Sequence, residues 1–226
     1  MPFTLAHATL AWPLRRHLPS DALVIGSLAP DFEYLVRWEP TGVYAHTFPG
    51  FLWLTTPAAI LVLLGWRRLL RPRWRIRLGL AEGREPDPHV SLDLPALLLG
   101  ILGHLLCDHF THRGSDGMAA LGIHTLGPLP VYKALQYAGS IFGLGACLVW
   151  AIRTLRRRHP TLACQGRFWG WLSWMIGGAC LAGALNACRA EALRPQVALF
   201  ATGWLDGLVL AMIGYTLWPV ERRPSP

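Results

Sequence analysis

The chain has 226 residues, 53% of them apolar and only 15% charged, with eleven Trp and a formal net charge of +8. This profile argues against a soluble globular domain and for a chain embedded in a lipid bilayer. The positive charge does not point to nucleic acid, because the basic residues cluster beside apolar segments and not within a binding motif.

The five Cys (Cys107, Cys147, Cys164, Cys180, Cys188) are odd in number and contain no CxxC pair, so neither a disulfide framework nor a zinc ribbon is indicated. At the amino terminus, residues 5–14 are apolar but too few to span a membrane, and Arg15, Arg16 and His17 follow them. With no signal-peptide pattern, this stretch reads as an interfacial element or a re-entrant one packed against a bundle. Ser20 and Asp21 suit the start of a short helix through Gly26 and Ser27, with Pro30 marking its end before Asp31 and Glu33.

Apolar spans are expected at 47–66, 94–110, 138–152, 168–187 and 197–218, a count of five to within one. The polar, Pro-containing stretch 82–93, which includes His89, reads as an exposed turn. The fold class is therefore all-α: a polytopic membrane helix bundle of about five transmembrane helices, preceded by short amino-terminal helices. One domain is expected, with residues 1–46 as an amino-terminal segment, 47–218 as the bundle and 219–226 as a flexible tail.

Seven Arg lie between the first two spans, five follow the third, and Arg222 and Arg223 close the chain, so 14 of the 21 basic residues fall in three regions. Five alternating spans put all three on one side, which the positive-inside rule makes cytoplasmic. His46, Asp108 and His112 then share the non-cytoplasmic side. The expected location is the membrane bounding the cytoplasm, with membrane lipids as partners and no nucleic acid.

Within GHLLCDHFTHRG, His104, Asp108 and His112 recur at i, i+4 and i+8, on one stripe of an apolar helix. Ionisable groups in such a setting are costly unless compensated, and a bound metal ion compensates all three. The plainer alternative has each imidazole donating to a backbone carbonyl and Asp108 pairing with Arg113. His7, Asp31, Glu33 and His46 offer the same donor chemistry, and His124 is a weaker candidate. His109 falls on another side of the helix. Asp206, within the last span, is a carboxylate that would pair with Arg189 or Arg194 or orient a ligand imidazole, and Asn186 is placed to hydrogen-bond between helices.

Taken in order, MPFTLAH, ALVIGSLAPDFEY, AHTFPG and GILGHLLCDHFTH resemble the bacterial membrane family called domain of unknown function 4184, over most of the first 115 residues. More distantly, they are similar to the inner-membrane metal-dependent hydrolase family, relative to which Glu33 replaces the second Asp of PDxD. The resemblance implies function at His7, Asp31, Glu33, His46, His104 and Asp108, with Thr111 supporting them and His112 peripheral.

The leading expectation is a divalent-ion site of His46, His104 and Asp108, with His7 and Asp31 completing it or a neighbouring second one. Zinc is the first choice and manganese or iron the alternatives. Asp31 or Glu33 would act as base in hydrolysis of an ester or phosphoester, with a lipid as the natural substrate. The rival readings are a proton-coupled transporter using Asp108, His104 and Asp206 as a relay, and a structural protein using the His/Asp cluster as a helix lock.

Overall fold

The computed structural model describes residues 4–77, 90–112, 122, 125–158, 166–189 and 193–217. The surroundings of His89, Arg113, His124 and Cys164, and the expected tail 219–226, lie outside the described residues. The fold is all-α. The helices are α1 (Ser20–Leu28), α2 (Phe32–Arg37), α3 (Phe48–Arg75), α4 (Asp93–Thr111), α5 (Val131–Arg158), α6 (Gly166–Ala187) and α7 (Leu193–Leu217). Among the described residues the only strands are Thr125–Leu126 and Leu129–Pro130, an antiparallel pair turning at Gly127, whose φ of 60° suits glycine.

Four helical segments are long and apolar enough to cross a membrane: Phe48–Arg75, Asp93–Thr111, Val131–Arg153 and Gln196–Thr216. The fifth expected span, 168–187, falls on α6, of 22 residues, whose described apolar stretch is Leu172–Ala187. The chain is accordingly a membrane protein.

Helix α3 continues past the expected end at residue 66 and through the first Arg cluster, where Arg73 Nη1 donates to the Leu69 carbonyl at 3.0 Å. Two wide π-type turns, Phe51–Thr55 and Trp66–Leu70, interrupt it. Each contains the residue four before a proline, Trp53 before Pro57 and Arg68 before Pro72. A helical proline lacks an N–H and clashes with the carbonyl at i−4, so the turn there must widen. Thr56 Oγ1 donates to the Phe51 carbonyl at 2.8 Å in the first of these turns. Helix α5 begins seven residues before the expected position, because its first two turns bury Val131 and Gln136 and are held by packing more than by hydropathy.

The chain divides into two compact units. The first comprises Met1–Phe32, Gly42–Leu63 and Glu85–Thr154; the second comprises Glu33–Thr41, Leu64–Arg84 and Leu155–Pro226.

The first unit is built on α1 lying against α4. Their backbones meet at two glycines: a Cβ on Gly26 would overlap the Leu97 carbonyl oxygen, and one on Gly100 would overlap the Leu23 oxygen and stand 2.7 Å from Ser27 N. Leu23, Leu97 and Ile101 fill the flanks of this crossing together with Ala22, Ala59 and Ala96. The amino-terminal 3-10 turn Thr4–Ala11 packs on α1 and α4, with Ala6 against Gly143 of α5.

The second unit is built on the α6–α7 pair. Gly203 and Gly207 let α7 approach Ala182 and Asn186 to the point where a Cβ would stand 2.6 Å from their Cβ atoms. This four-residue spacing of small residues is a common basis of close helix packing in membranes. Asn186 Nδ2 donates across the pair to the Leu199 carbonyl at 2.8 Å and Thr202 Oγ1 at 3.1 Å, the bridging role expected of it.

Because Gly100 meets backbone and not a flexible side chain, Gly100→Val is expected to force α1 from α4 and destabilise the protein by about 1–3 kcal/mol. Reversible unfolding in mixed micelles checks this, with Gly145→Val, whose Cβ would meet nothing within 4 Å, as the control near zero.

Candidate metal centre

Four chain segments of the first unit bring five side chains together. His7 comes from the amino-terminal turn, Asp31 from the 3-10 turn Ala29–Asp31, His46 from just before α3, and His104 and Asp108 from successive turns of α4. The i, i+4 spacing puts His104 Nε2 3.3 Å from Asp108 Oδ2. His46 Nε2 lies 3.3 Å from the same oxygen and 3.7 Å from Asp31 Oδ1, which is 3.5 Å from His104 Nε2. On the other side, His7 Nε2 lies 3.8 Å from Asp108 Oδ1, and the His7 ring stacks on His104 with centroids 3.9 Å apart.

Each placement has a local cause. The His104 Nδ1–H donates to the Ser27 carbonyl at 2.8 Å, across the α1–α4 crossing. A carbonyl only accepts, so the neutral ring carries its proton on Nδ1 and presents a lone pair at Nε2. His46 is held by a tight turn: Thr47 Oγ1 donates to the Tyr44 carbonyl at 2.7 Å and accepts from Gly50 N at 3.1 Å. Thr55 Oγ1 donates to the Ala45 carbonyl at 3.2 Å. Asp108 has Thr111 Oγ1 at 3.5 Å from Oδ1, and Gln136 Nε2 donates to the Thr111 carbonyl at 2.7 Å, tying α5 to the end of α4.

His104 is 0%, Asp31 1%, His7 2% and Asp108 5% exposed, yet several of their polar atoms form no hydrogen bond of ordinary geometry. These are His7 Nε2, both Asp31 oxygens, His104 Nε2 and Asp108 Oδ2. Burial, then the adjacent His104 ring, holds His7 down at about 3, so it is neutral at physiological pH with one ring nitrogen free of a proton. Burial pushes the Asp31 carboxyl up, which makes a nearby cation the natural stabiliser of its ionised form.

Four donors at 2.0–2.2 Å from one ion in tetrahedral array stand about 3.3–3.6 Å apart. The separations of 3.3 to 3.7 Å linking His46 and His104 to Asp31 and Asp108 are close to that spacing. Ligand atoms all within 4.8 Å of one another form two groups that share His104: His7, Asp31 and His104, and His46, His104 and Asp108. Two carboxylates and neutral imidazoles also supply the charge that a divalent cation balances. The residues present therefore fit a metal ion.

The remaining expected residues take other places. His112 stands at the rim: its Nδ1 lies 2.9 Å from the Asp108 carbonyl, and its side chain is 39% exposed. His109 lies on another side of α4, its ring edge-on to Phe110. Glu33 belongs to the second unit, where it pairs with Arg37 at 3.6 Å. Asp206 is buried in the second unit, and its oxygens accept no hydrogen bond among the described residues. The expected Arg189 partner is engaged elsewhere, donating to Asn186 Oδ1 at 2.9 Å and facing Glu39 at 3.5 Å. Ser27 and Gln136 were not legible as site residues, since one acts through its carbonyl and the other sits outside the expected span.

A family model described as a domain of unknown function, DUF4184, matches residues 1–217. The chain belongs to that family, and the match extends well beyond the motif-bearing first 115 residues. No curated protein and no solved structure matches the chain.

Protein purified without chelator is expected to carry about one transition-metal ion per chain by elemental analysis. His104→Ala and Asp108→Ala should each abolish it, while His112→Ala retains it. Gln136→Leu, acting on the end of α4, should weaken the metal dissociation constant by about tenfold, the lower figure for residues that orient ligands.

Proposed function

We propose that this member of the DUF4184 family is a membrane-embedded, metal-dependent hydrolase. It would cleave an ester or phosphoester of a lipid at the non-cytoplasmic face of a bacterial inner membrane. One observation carries the reading: five donors from four segments converge, and the four buried ones, His7, Asp31, His104 and Asp108, each keep a ligand atom without a hydrogen bond of ordinary geometry. Buried ligand atoms left in that state are what a cation would satisfy. Zinc suits the mixed nitrogen and oxygen set, and manganese or iron are the alternatives.

The level of the site supports a lipid substrate. His46 lies two residues before α3 begins and Asp108 three residues before α4 ends, so the cluster sits where two spans reach the bilayer boundary. Three residues of helix rise only about 4.5 Å. The assignment of this boundary to the non-cytoplasmic side rests on the Arg-rich regions lying opposite it.

A bound divalent ion supplies Lewis acidity, polarising the ester oxygen and bringing the pKa of a coordinated water towards neutrality. The chain's own groups do the rest. Substrate approaches past His46 and His112, whose side chains are 22% and 39% exposed while the inner donors are nearly inaccessible. Asp31 offers Oδ1 towards the imidazoles, and its carboxylate accepts the proton that water loses as its oxygen attacks carbon or phosphorus. The C–O or P–O ester bond breaks, and that proton passes to the departing oxygen to give the alcohol. Glu33, engaged by Arg37, is left out of this step.

Purified protein in lipid nanodiscs should hydrolyse p-nitrophenyl butyrate or bis(p-nitrophenyl) phosphate, lose that activity to EDTA, and regain it with zinc or manganese. Asp108→Ala should lower kcat/KM by more than about a hundredfold, the upper figure for outer-shell changes. Metal-loaded wild type inactive on both compounds would overturn the reading. For sidedness, Tyr44→Cys in a background without other cysteines should react with a membrane-impermeant maleimide from outside intact cells. Labelling only after lysis reverses the orientation.

A further inference from the structure

We propose that the substrate carries a hydrocarbon chain of about ten carbons joined directly to its reacting ester group, and that the chain lies in a groove between the amino-terminal turn, α4 and α5. This deepens the hydrolase reading and rests on it. The groove has a volume of about 280 Å³ and is lined by Ala6, His7 and Leu10 of the turn, Cys107 of α4, and Gly139 and Phe142 of α5. An apolar cavity of roughly 150 Å³ holds a benzene ring, so this one has room for about ten to twelve carbon atoms.

Its position ties it to the metal centre. His7 forms part of the groove wall and is also one of the converging donors, with Nε2 3.8 Å from Asp108 Oδ1. Cys107 is the chain neighbour of Asp108. A group bound at the ion therefore extends into the groove through its first carbons, without an intervening polar spacer. The helices that form two of its walls, α4 and α5, are both long and apolar enough to span a membrane, and Phe142 on its outer side is 77% exposed. The groove thus opens towards the region that lipid chains occupy.

The lining selects hydrocarbon over a polar headgroup. Apart from His7 its polar side chains are the Cys107 thiol and Thr9, whose hydroxyl already donates to the Ala6 carbonyl at 2.7 Å. A sugar or a phosphate placed there would lose its water hydrogen bonds and gain few in return. A saturated chain loses nothing of the kind.

Two homologous series distinguish the carboxylic from the phosphoric source of such a chain: p-nitrophenyl esters from acetate to decanoate, and alkyl p-nitrophenyl phosphates from methyl to decyl. In whichever series is turned over, Gly139→Leu should lower the decyl-to-shortest ratio of kcat/KM by at least about tenfold relative to wild type in the same nanodiscs, with metal content unchanged. The comparison within one membrane removes the effect of partitioning. An unchanged ratio in a folded, metal-loaded Gly139→Leu protein overturns the groove while leaving the hydrolase intact. Inactivity of wild type on both series instead overturns the hydrolase.

A second measurement needs neither turnover nor that variant. In protein whose other four cysteines are Ser, dodecylphosphonate should slow the reaction of Cys107 with N-ethylmaleimide at least about fivefold, whereas methylphosphonate should not. Equal rates with both phosphonates overturn the proposal.

Discussion

The constraint on which the first unit turns is that two carboxylates and three imidazoles are gathered in a small volume, with ligand atoms of His7, Asp31, His104 and Asp108 buried without hydrogen bonds of ordinary geometry. Each buried polar group left without a partner costs about 1–3 kcal/mol, and several such atoms belong to this one cluster. Structural zinc sites are worth about 10–16 kcal/mol in small peptides, enough to outweigh that penalty. The metal-free cluster is thus the expensive arrangement. The rest of the unit is organised so that the donors cannot relax into pairing with one another.

That restraint comes from backbone as much as from side chains. Glycine at positions 26 and 100 brings α1 and α4 close enough for the Ser27 carbonyl to take the Nδ1–H of His104 at 2.8 Å. The crossing therefore sets both the helix packing and the tautomer of the most buried ligand. At the other end of α4, Gln136 holds the Thr111 carbonyl and so fixes the last turn, on which Asp108 and His112 depend. Packing, hydrogen bonding and ligand orientation are in this way one problem with one solution, and a change in helix separation reaches the site directly.

The sequence made much of this legible, and the gaps have physical causes. Hydropathy located the helices, since a bilayer leaves few alternatives to them. It misjudged the end of α3 and both ends of α5, where Arg-rich or polar turns stay helical through packing and hydrogen bonding that hydropathy does not register. The stripe of His104 and Asp108 followed from the helical period alone. His7, Asp31 and His46 did not: each is a single residue in a short segment, and only the order of motifs joined them to α4. Contributions through a carbonyl, as at Ser27, leave no mark in the identity of a side chain. Asp206 was readable as an unusual carboxylate, but its expected Arg189 partner proves to serve Asn186 and Glu39.

Burial within the centre runs in one direction, and that direction constrains chemistry. His104, Asp31 and His7 are sealed between the amino-terminal turn, α1 and α4, while His46 and His112 face outward. The sealed side supplies preorganised donors in surroundings of low dielectric, where electrostatic interactions are strong. The open side lies at the ends of two apolar helices. On the proposed reading, an ester held there would present its reacting atoms to the centre while its chain stayed in an apolar surrounding. A soluble polar substrate gains nothing from that placement, because it would approach the same centre past exposed apolar side chains such as Phe48 and Trp53.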